Sequence, residues 1–330
     1  MFDFHTHVVP AATPFLDRLA EQDSRWVRLV PGDEWGDALV SGKVFRTVHR
    51  VAWDLSLRRE RQLAAGVTGE LLSAMPELFA LWAPPAAAAD YARAFNDWLA
   101  TELPRHDGFF LGLGLVPAQN PATAAAMLPE LAAAGLTGVE IPAQPPGPGL
   151  HEPAWEEFFA SAERLRLLVF VHAVGGPAAA SFQHRSAANG VLFPNSIGSA
   201  IGALLANGLL ARHPDLQLLA SHGGGSLIAL LPRIEYFRST VPDLRTVLPD
   251  PVVEYARRLW FDPLLFDPAL LEVLADAVGA DRIVSGSDYP FMKNPLRYLN
   301  EVPEPLSTAI RTDNAAGLLS RVRPAAAEDS

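Results

Sequence analysis

The sequence predicts an α/β fold: a (β/α)8 TIM-like barrel over residues 1–330 as a single domain, with a small insertion after the first strand. Three observations predict it. Eight short apolar segments alternate with longer amphipathic ones. Several of the apolar segments are continuous runs, as strands buried on both faces of a parallel sheet require. The length of 330 residues falls within the range of about 200 to over 400 that such barrels occupy. A doubly wound open sheet is the alternative arrangement of the same elements.

The strand candidates are residues 2–7, 67–74, 109–116, 138–142, 168–173, 216–221, 259–262 and 282–287. The clearest helical patterns between them are 91–103, 121–134, 153–164, 197–211, 226–236 and 268–277. Asn120-Pro121 and Asp267-Pro268 are helix starts, a capping side chain followed by a proline whose missing N–H costs nothing at the first position. Residues 8–54 are too long for a simple connection. Within them 26–30 and 43–48 read as strands of a small β insert, which would lie over the active site, at the C-terminal strand ends. The proline-rich stretches 83–89 and 142–153 read as loops, and the chain from about residue 324 as a loose end.

Composition narrows the chemistry. The hydrophobic fraction of 49% suffices for a sizeable core. No uninterrupted apolar run reaches the roughly 18 residues of a membrane span. The first residues show no basic segment and no cleavage site, so a cytoplasmic location is the expectation. There is no cysteine, which excludes disulfides, cysteine nucleophiles and thiolate metal sites; any metal is held by His, Asp or Glu. A net charge of −11 argues against a nucleic-acid partner, while local arginines still permit an anionic small molecule.

His5 and His7 close the first segment as His-Thr-His. Successive strand side chains alternate faces, so these two imidazoles share one face about 7 Å apart along the strand and form half of a metal site; a hydrogen-bonded, half-buried pair is the plainer alternative. His172 closes the fifth segment, where a titratable group either finds a partner or is desolvated at a cost. His222 follows the sixth and precedes Gly223-Gly224-Gly225, without the Lys-Ser/Thr that a phosphate loop would carry. Asp288 follows the eighth, where a turn-capping aspartate is the ordinary reading. Five such residues at strand ends point instead to one shared site, because a barrel presents the C-terminal ends of its strands on a single face. His106, His151, His184 and His213 lie outside this pattern and read as surface residues, and His49 lies near Arg46 in the insert.

The combination DFHTHVVP (3–10), GKVFRTVHRVAWD (42–54), FVH (170–172), SHGGGSLIALLPR (221–233) and SGSDYPF (285–291) resembles the amidohydrolase superfamily, and within it the amidohydrolase-2 group of metal-dependent decarboxylases, over nearly the whole chain. The resemblance implies zinc, or another divalent metal, held by His5, His7, His172 and Asp288. It implies His222 as the catalytic acid/base, with Asp288 also in the catalytic centre. It implies that Arg46 and Arg233 clamp substrate carboxylates, Arg233 reaching into the neighbouring subunit's site, so that a homodimer is the functional unit. The implied reaction is non-oxidative decarboxylation of an aromatic or muconate-type carboxylic acid. The alternative for the same site is hydrolysis or cyclocondensation of an aminohydroxybenzoate-like amide or ester. Glu140, on the fourth strand, stands where binuclear relatives place a bridging ligand, so it either supports a second metal or hydrogen-bonds to a ligand of the first. The chain departs from the group's pattern after His172, where Ala173-Val174-Gly175 replace Pro-Trp-Asp, and again at 190–197. These pocket-wall positions have lost bulk and charge, which puts the group's substrate in doubt here.

Overall fold

The computed structural model describes residues 1–11, 14–175 and 180–322. Among them run ten strands: β1 (Phe2–Val8), β2 (Arg28–Val30), β3 (Trp35–Val40), β4 (Lys43–His49), β5 (Gly69–Ala74), β6 (Phe110–Gly114), β7 (Gly138–Pro142), β8 (Leu168–His172), β9 (Leu218–Ala220) and β10 (Trp260–Phe261). Seven of them form one sheet in the order β1-β5-β6-β7-β8-β9-β10, every pairing parallel. Each strand therefore lies beside its predecessor in the sheet. A doubly wound sheet would reverse its order partway, so the curled parallel sheet follows the winding of a TIM-like barrel.

The eighth segment, expected as a strand over 282–287, is not a regular one. It nevertheless bonds to both edges of the sheet: Val284 N–H donates to Phe261 O at 2.9 Å, Phe4 N–H to Ser285 O at 2.8 Å and His7 N–H to Tyr289 O at 2.7 Å. Isolated bridges join Phe261 to Ile283 and Thr6 to Tyr289. Regular pairing fails because Asp288 occupies the left-handed region (φ 55°) and because Ser287 and Asp288 both turn their N–H groups onto the His5 carbonyl. The irregular seam that links the last strand to the first is thus the segment that carries Asp288.

Between β1 and β5, strands β2, β3 and β4 pair into a separate antiparallel sheet. The candidates at 26–30 and 43–48 correspond to β2 and β4. β3 escaped sequence reading because Gly36 and Asp37, both poor strand formers, sit inside it.

The stretch 83–89 is not a loop as expected: helix Pro85–Glu102 begins within it, with proline in the first turn and four alanines following. Proline is pre-organised for a helix start and alanine is the best helix former, so the same composition nucleates a helix here. Helix Arg185–Ala206 likewise begins well before residue 197: it runs through Pro194, whose carbonyl accepts from Ser226 N–H at 3.0 Å. The predicted caps are present: Asn120 accepts from Thr123 N–H at 3.1 Å and Asp267 from Leu270 N–H at 3.0 Å.

Phe4, Leu71, Leu113, Phe170, Leu219 and Trp260 fill the inside of the sheet, each worth about 1.5–3 kcal/mol of apolar burial. This plug fills the inside of the sheet with apolar side chains, and the C-terminal strand ends lie beyond it. No helix of the described residues is long and apolar enough to cross a membrane.

Candidate metal centre

Four side chains from the strand ends converge. His7 Nε2 lies 3.2 Å from His5 Nε2, and His172 Nε2 lies 3.0 Å from it. Asp288 Oδ1 lies 3.2 Å from His7 Nε2 and 3.9 Å from His5 Nε2. The four ligand atoms all fall within 4.8 Å of one another, and all four residues are buried. The remaining ring nitrogens of the first two are committed elsewhere: His5 Nδ1–H donates to Asp262 Oδ2 at 2.6 Å and His7 Nδ1–H to Ala74 O at 2.9 Å. Each Nε2 is therefore left as a bare lone pair aimed inward. Lone pairs that face one another repel unless a cation lies between them. Around a tetrahedral ion with nitrogen ligands at about 2.0–2.1 Å, the ligand atoms stand about 3.3 Å apart, close to the separations found. The residues fit a divalent ion.

The electrostatics agree. Burial holds His7 below the usual histidine range and His172 well below it. Burial would raise Asp288, but the His7 hydrogen bond and the neighbouring imidazoles hold it below the usual carboxylate range. Neutral imidazoles beside an ionised carboxylate is the protonation state that metal ligation needs. His5 is the exception: burial opposes its charge, yet the Asp262 hydrogen bond and charge outweigh burial and raise its pKa.

Asp262 is a buried carboxylate beside this cluster that sequence reasoning missed. Besides His5, it accepts the N–H groups of His222 at 2.8 Å, Gly223 at 2.9 Å and Leu264 at 3.0 Å. One buried carboxylate thus orients the His5 ring and fixes the turn that carries His222. The signal was present, since Asp262 closes the seventh strand candidate, 259–262, as His172 closes the fifth. Asp262→Asn should weaken metal binding about 10- to 100-fold, as loss of a carboxylate behind a histidine ligand typically does; titration against a competing chelator measures it. Unchanged affinity would mean that His5 is oriented by other contacts.

His222 stands apart from the four ligands. Its backbone is left-handed (φ 53°), and Gly223, Gly224 and Gly225 follow with φ of 61°, 72° and 56°. A Cβ at Gly225 would meet Pro194 O at 1.9 Å, so this glycine is required by packing against helix Arg185–Ala206. The His222 ring lies 5.4 Å from the His5 and His172 rings and 5.6 Å from Phe193, and its Nε2 has no hydrogen-bond partner. Burial lowers its pKa to about 4, leaving it neutral and able to accept a proton at ordinary pH.

Glu140 is fully buried, with Oε1 3.9 Å from His7 Nδ1 and 4.0 Å from His172 Nδ1. It approaches the ligands from their Nδ1 side and is not among the four converging groups. Burial pushes its pKa well above the usual carboxylate value.

A cavity of about 1650 Å³ opens over the centre, and His172, His222, Asp288, Arg46, Phe193 and Phe291 contribute to its wall. It exceeds the usual ligand pocket of about 300–1,000 Å³. Val174, Gly175 and Gly190 line it, in keeping with the expected loss of bulk, whereas Ala173 is packed fully inside the core. The Arg46 guanidinium sits 4.2 Å from the Phe291 ring centre, and that ring stacks on His7 at 5.5 Å. Arg233 is exposed on helix Leu227–Thr240, 5.5 Å from the Phe237 ring, and does not line the cavity. Glu235, two residues along the same helix, is bound by Arg238 at 2.9 Å.

His151 and His184 are exposed as expected. His106 and His213 are not: both are buried, His106 edge-on to Phe110 at 5.2 Å and His213 held between Glu156 at 2.9 Å and Glu163 at 3.1 Å. Partners distant in sequence or in the next strand cover them, which a local reading of loops does not show.

The family model described as Amidohydrolase matches residues 2–319. The 2-amino-3-carboxymuconate-6-semialdehyde decarboxylase of Dictyostelium discoideum is 30% identical over 295 residues, 88% of this chain and 81% of that one. Among solved structures, 5-carboxyvanillate decarboxylase from Sphingomonas paucimobilis matches with a TM-score of 0.77 at 19% identity, over 98% of this chain and 99% of that one. Dihydroxybenzoic acid decarboxylase from Polaromonas sp. JS666, with bound manganese and the inhibitor 2-nitroresorcinol, matches with a TM-score of 0.73 at 20% identity, over 97% and 96%. At these identities the two structures speak to the fold.

Proposed function

The chain belongs to the amidohydrolase family, and from that premise we propose that it is a metal-dependent, non-oxidative decarboxylase of an aromatic or muconate-type carboxylic acid. The observation that carries the reading is the convergence of three imidazoles and a carboxylate beside an unpartnered histidine, at the wall of a cavity that also holds an arginine. His5, His7, His172 and Asp288 would hold the ion. A divalent cation bound there supplies Lewis acidity and orients the acid. Zinc suits a His/Asp set, and the manganese in the dihydroxybenzoic acid decarboxylase makes that ion the competing assignment.

His222, unprotonated at rest, takes a proton at Nε2 from a water molecule in the cavity and passes it to the carbon that bears the departing carboxylate, and a proton from solvent neutralises the hydroxide left behind. The carbon–carbon bond then breaks, its electron pair stays with the ring or diene, and carbon dioxide leaves, so that one proton is consumed per turnover. Arg46 anchors a substrate carboxylate through the paired donors of its guanidinium, and Phe193 and Phe291 flank the planar acid. Carbon dioxide release from hydroxybenzoates and related acids, measured on the metal-loaded protein, tests the reading. Release from at least one acid is expected. Hydrolysis of an amide or ester with no release from any acid would replace it with the hydrolytic alternative.

We read residues 8–54 as a small insert over the active site; support comes from Phe45 and Arg46, which line the cavity from β4. We also propose a homodimer in which Arg233 completes the partner's site. Support comes from its exposure beside Tyr236 (63% exposed), Phe237 (42%) and Val241 (41%), an apolar strip that a neighbour would cover. Mixing Arg233→Ala chains with His222→Ala chains should then restore activity, because one site of the heterodimer receives both defects and the other neither. No recovery in subunits shown to exchange would leave Arg46 as the carboxylate anchor.

A further inference from the structure

A second arginine faces the cavity, from an element that sequence reasoning left out of the site. Arg185 is the first residue of helix Arg185–Ala206 and lines the same space as His222 and Asp288. Its guanidinium donates to Glu77 Oε1 at 2.9 Å and lies 3.5 Å from the centre of the Phe45 ring. Arg46, the residue after Phe45, lies 3.9 Å from that same Glu77 oxygen, while Glu77 Oε2 is buried without a partner. Two guanidinium groups thus share one carboxylate oxygen. Arg25 also lines the cavity, but Asp23 neutralises it at 2.6 Å. The Arg46–Glu77–Arg185 cluster therefore brings one uncompensated positive charge to a wall of the cavity, next to Phe291, whose ring touches both Arg46 and His7. Helix stability does not account for Arg185, since a cation at a helix N-terminus is disfavoured by the helix dipole.

We propose that Arg185 is a specificity residue which, together with Arg46, seats a second anionic group on the substrate acid, one aromatic ring away from the metal centre. The inference rests on reading this cavity as the site of a carboxylic acid, and it selects among such acids. Those with a second carboxylate, or a comparable anionic substituent, are preferred over simple monoacids. Glu77 holds the two arginines in place and leaves guanidinium donors free, because neither fork is filled by its single engaged oxygen.

Calorimetric titration of the metal-loaded protein with isophthalate and with benzoate tests this without turnover. Wild-type protein should bind isophthalate more tightly than benzoate. Arg185→Gln should weaken isophthalate roughly 10- to 100-fold, the usual worth of a lost charged hydrogen-bond pair, and leave benzoate unchanged. Arg185→Lys should recover part of the loss, keeping the charge without the fork. Equal weakening of both ligands would make Arg185 a wall-supporting residue, and no change in either would remove it from the site; both outcomes overturn the proposal. Absence of carbon dioxide release would instead overturn the decarboxylase reading and leave this binding comparison intact.

Discussion

Replacing His5 or His7 with alanine is expected to strip the metal and with it the activity, by at least about 10³-fold, since the Lewis acidity of a bound cation is worth several kcal/mol. The two variants should differ in stability. His5→Ala removes the partner of the Asp262 carboxylate, both groups being fully buried at 2.6 Å. Leaving a buried charge without its partner costs about 3–5 kcal/mol in general. Asp262 keeps three backbone N–H donors, so the expected penalty lies toward the low end and the fold survives. His7→Ala frees the Ala74 carbonyl and the Ser73 hydroxyl and takes one imidazole from Asp288, which keeps His5 as a neighbour, and should melt closer to wild type. Metal analysis and thermal melts of the two proteins check both points. Full occupancy and activity in either variant would remove that histidine from the ligand set.

His222→Ala is expected to keep the metal and lose about 10²–10⁴-fold in rate, the usual contribution of a positioned acid or base. The ring has no contact that ligation requires, being absent from the group of four converging ligand atoms. The pH profile carries the same claim. Burial lowers the His222 pKa to about 4, so the unprotonated, proton-accepting form persists as pH falls through the ordinary histidine range near 6.5. The wild-type kcat/KM should accordingly stay level through pH 6.5 and decline only toward the lowered pKa, and that limb should vanish in His222→Ala. Loss of metal in this variant would make His222 a ligand and leave the proton transfer to another group.

The convergence of His5, His7, His172 and Asp288, with His222 beside them, was legible because a parallel barrel imposes a rule that sequence displays directly: apolar runs end in polar residues that share one face. His172, at the end of LVFVH, shows it most plainly. Residues that obey the rule weakly were missed. Asp262 follows a strand of two residues, and its four hydrogen bonds reach His5, which lies 257 residues away, as well as the local turn. The eighth strand was overread because its apolar pattern carries no trace of the left-handed turn at Asp288. Helix Arg185–Ala206 was cut short by Pro194, and the misplaced start hid Arg185, whose pairing with Glu77 spans 108 residues. His213 reads locally as a surface residue because its two glutamates lie 57 and 50 residues earlier. Local pattern reveals what a strand end presents, whereas partners brought together from distant segments emerge only once the chain has folded.

The most direct test of the central claim is carbon dioxide release followed while metal-stripped protein is reloaded in measured steps with zinc or manganese. With His5, His7, His172 and Asp288 as one catalytic centre, the rate should rise in proportion to bound ion and level off at about one ion per chain, the capacity of a single four-ligand site. Release that proceeds without metal, or that needs a second ion per chain, would contradict it.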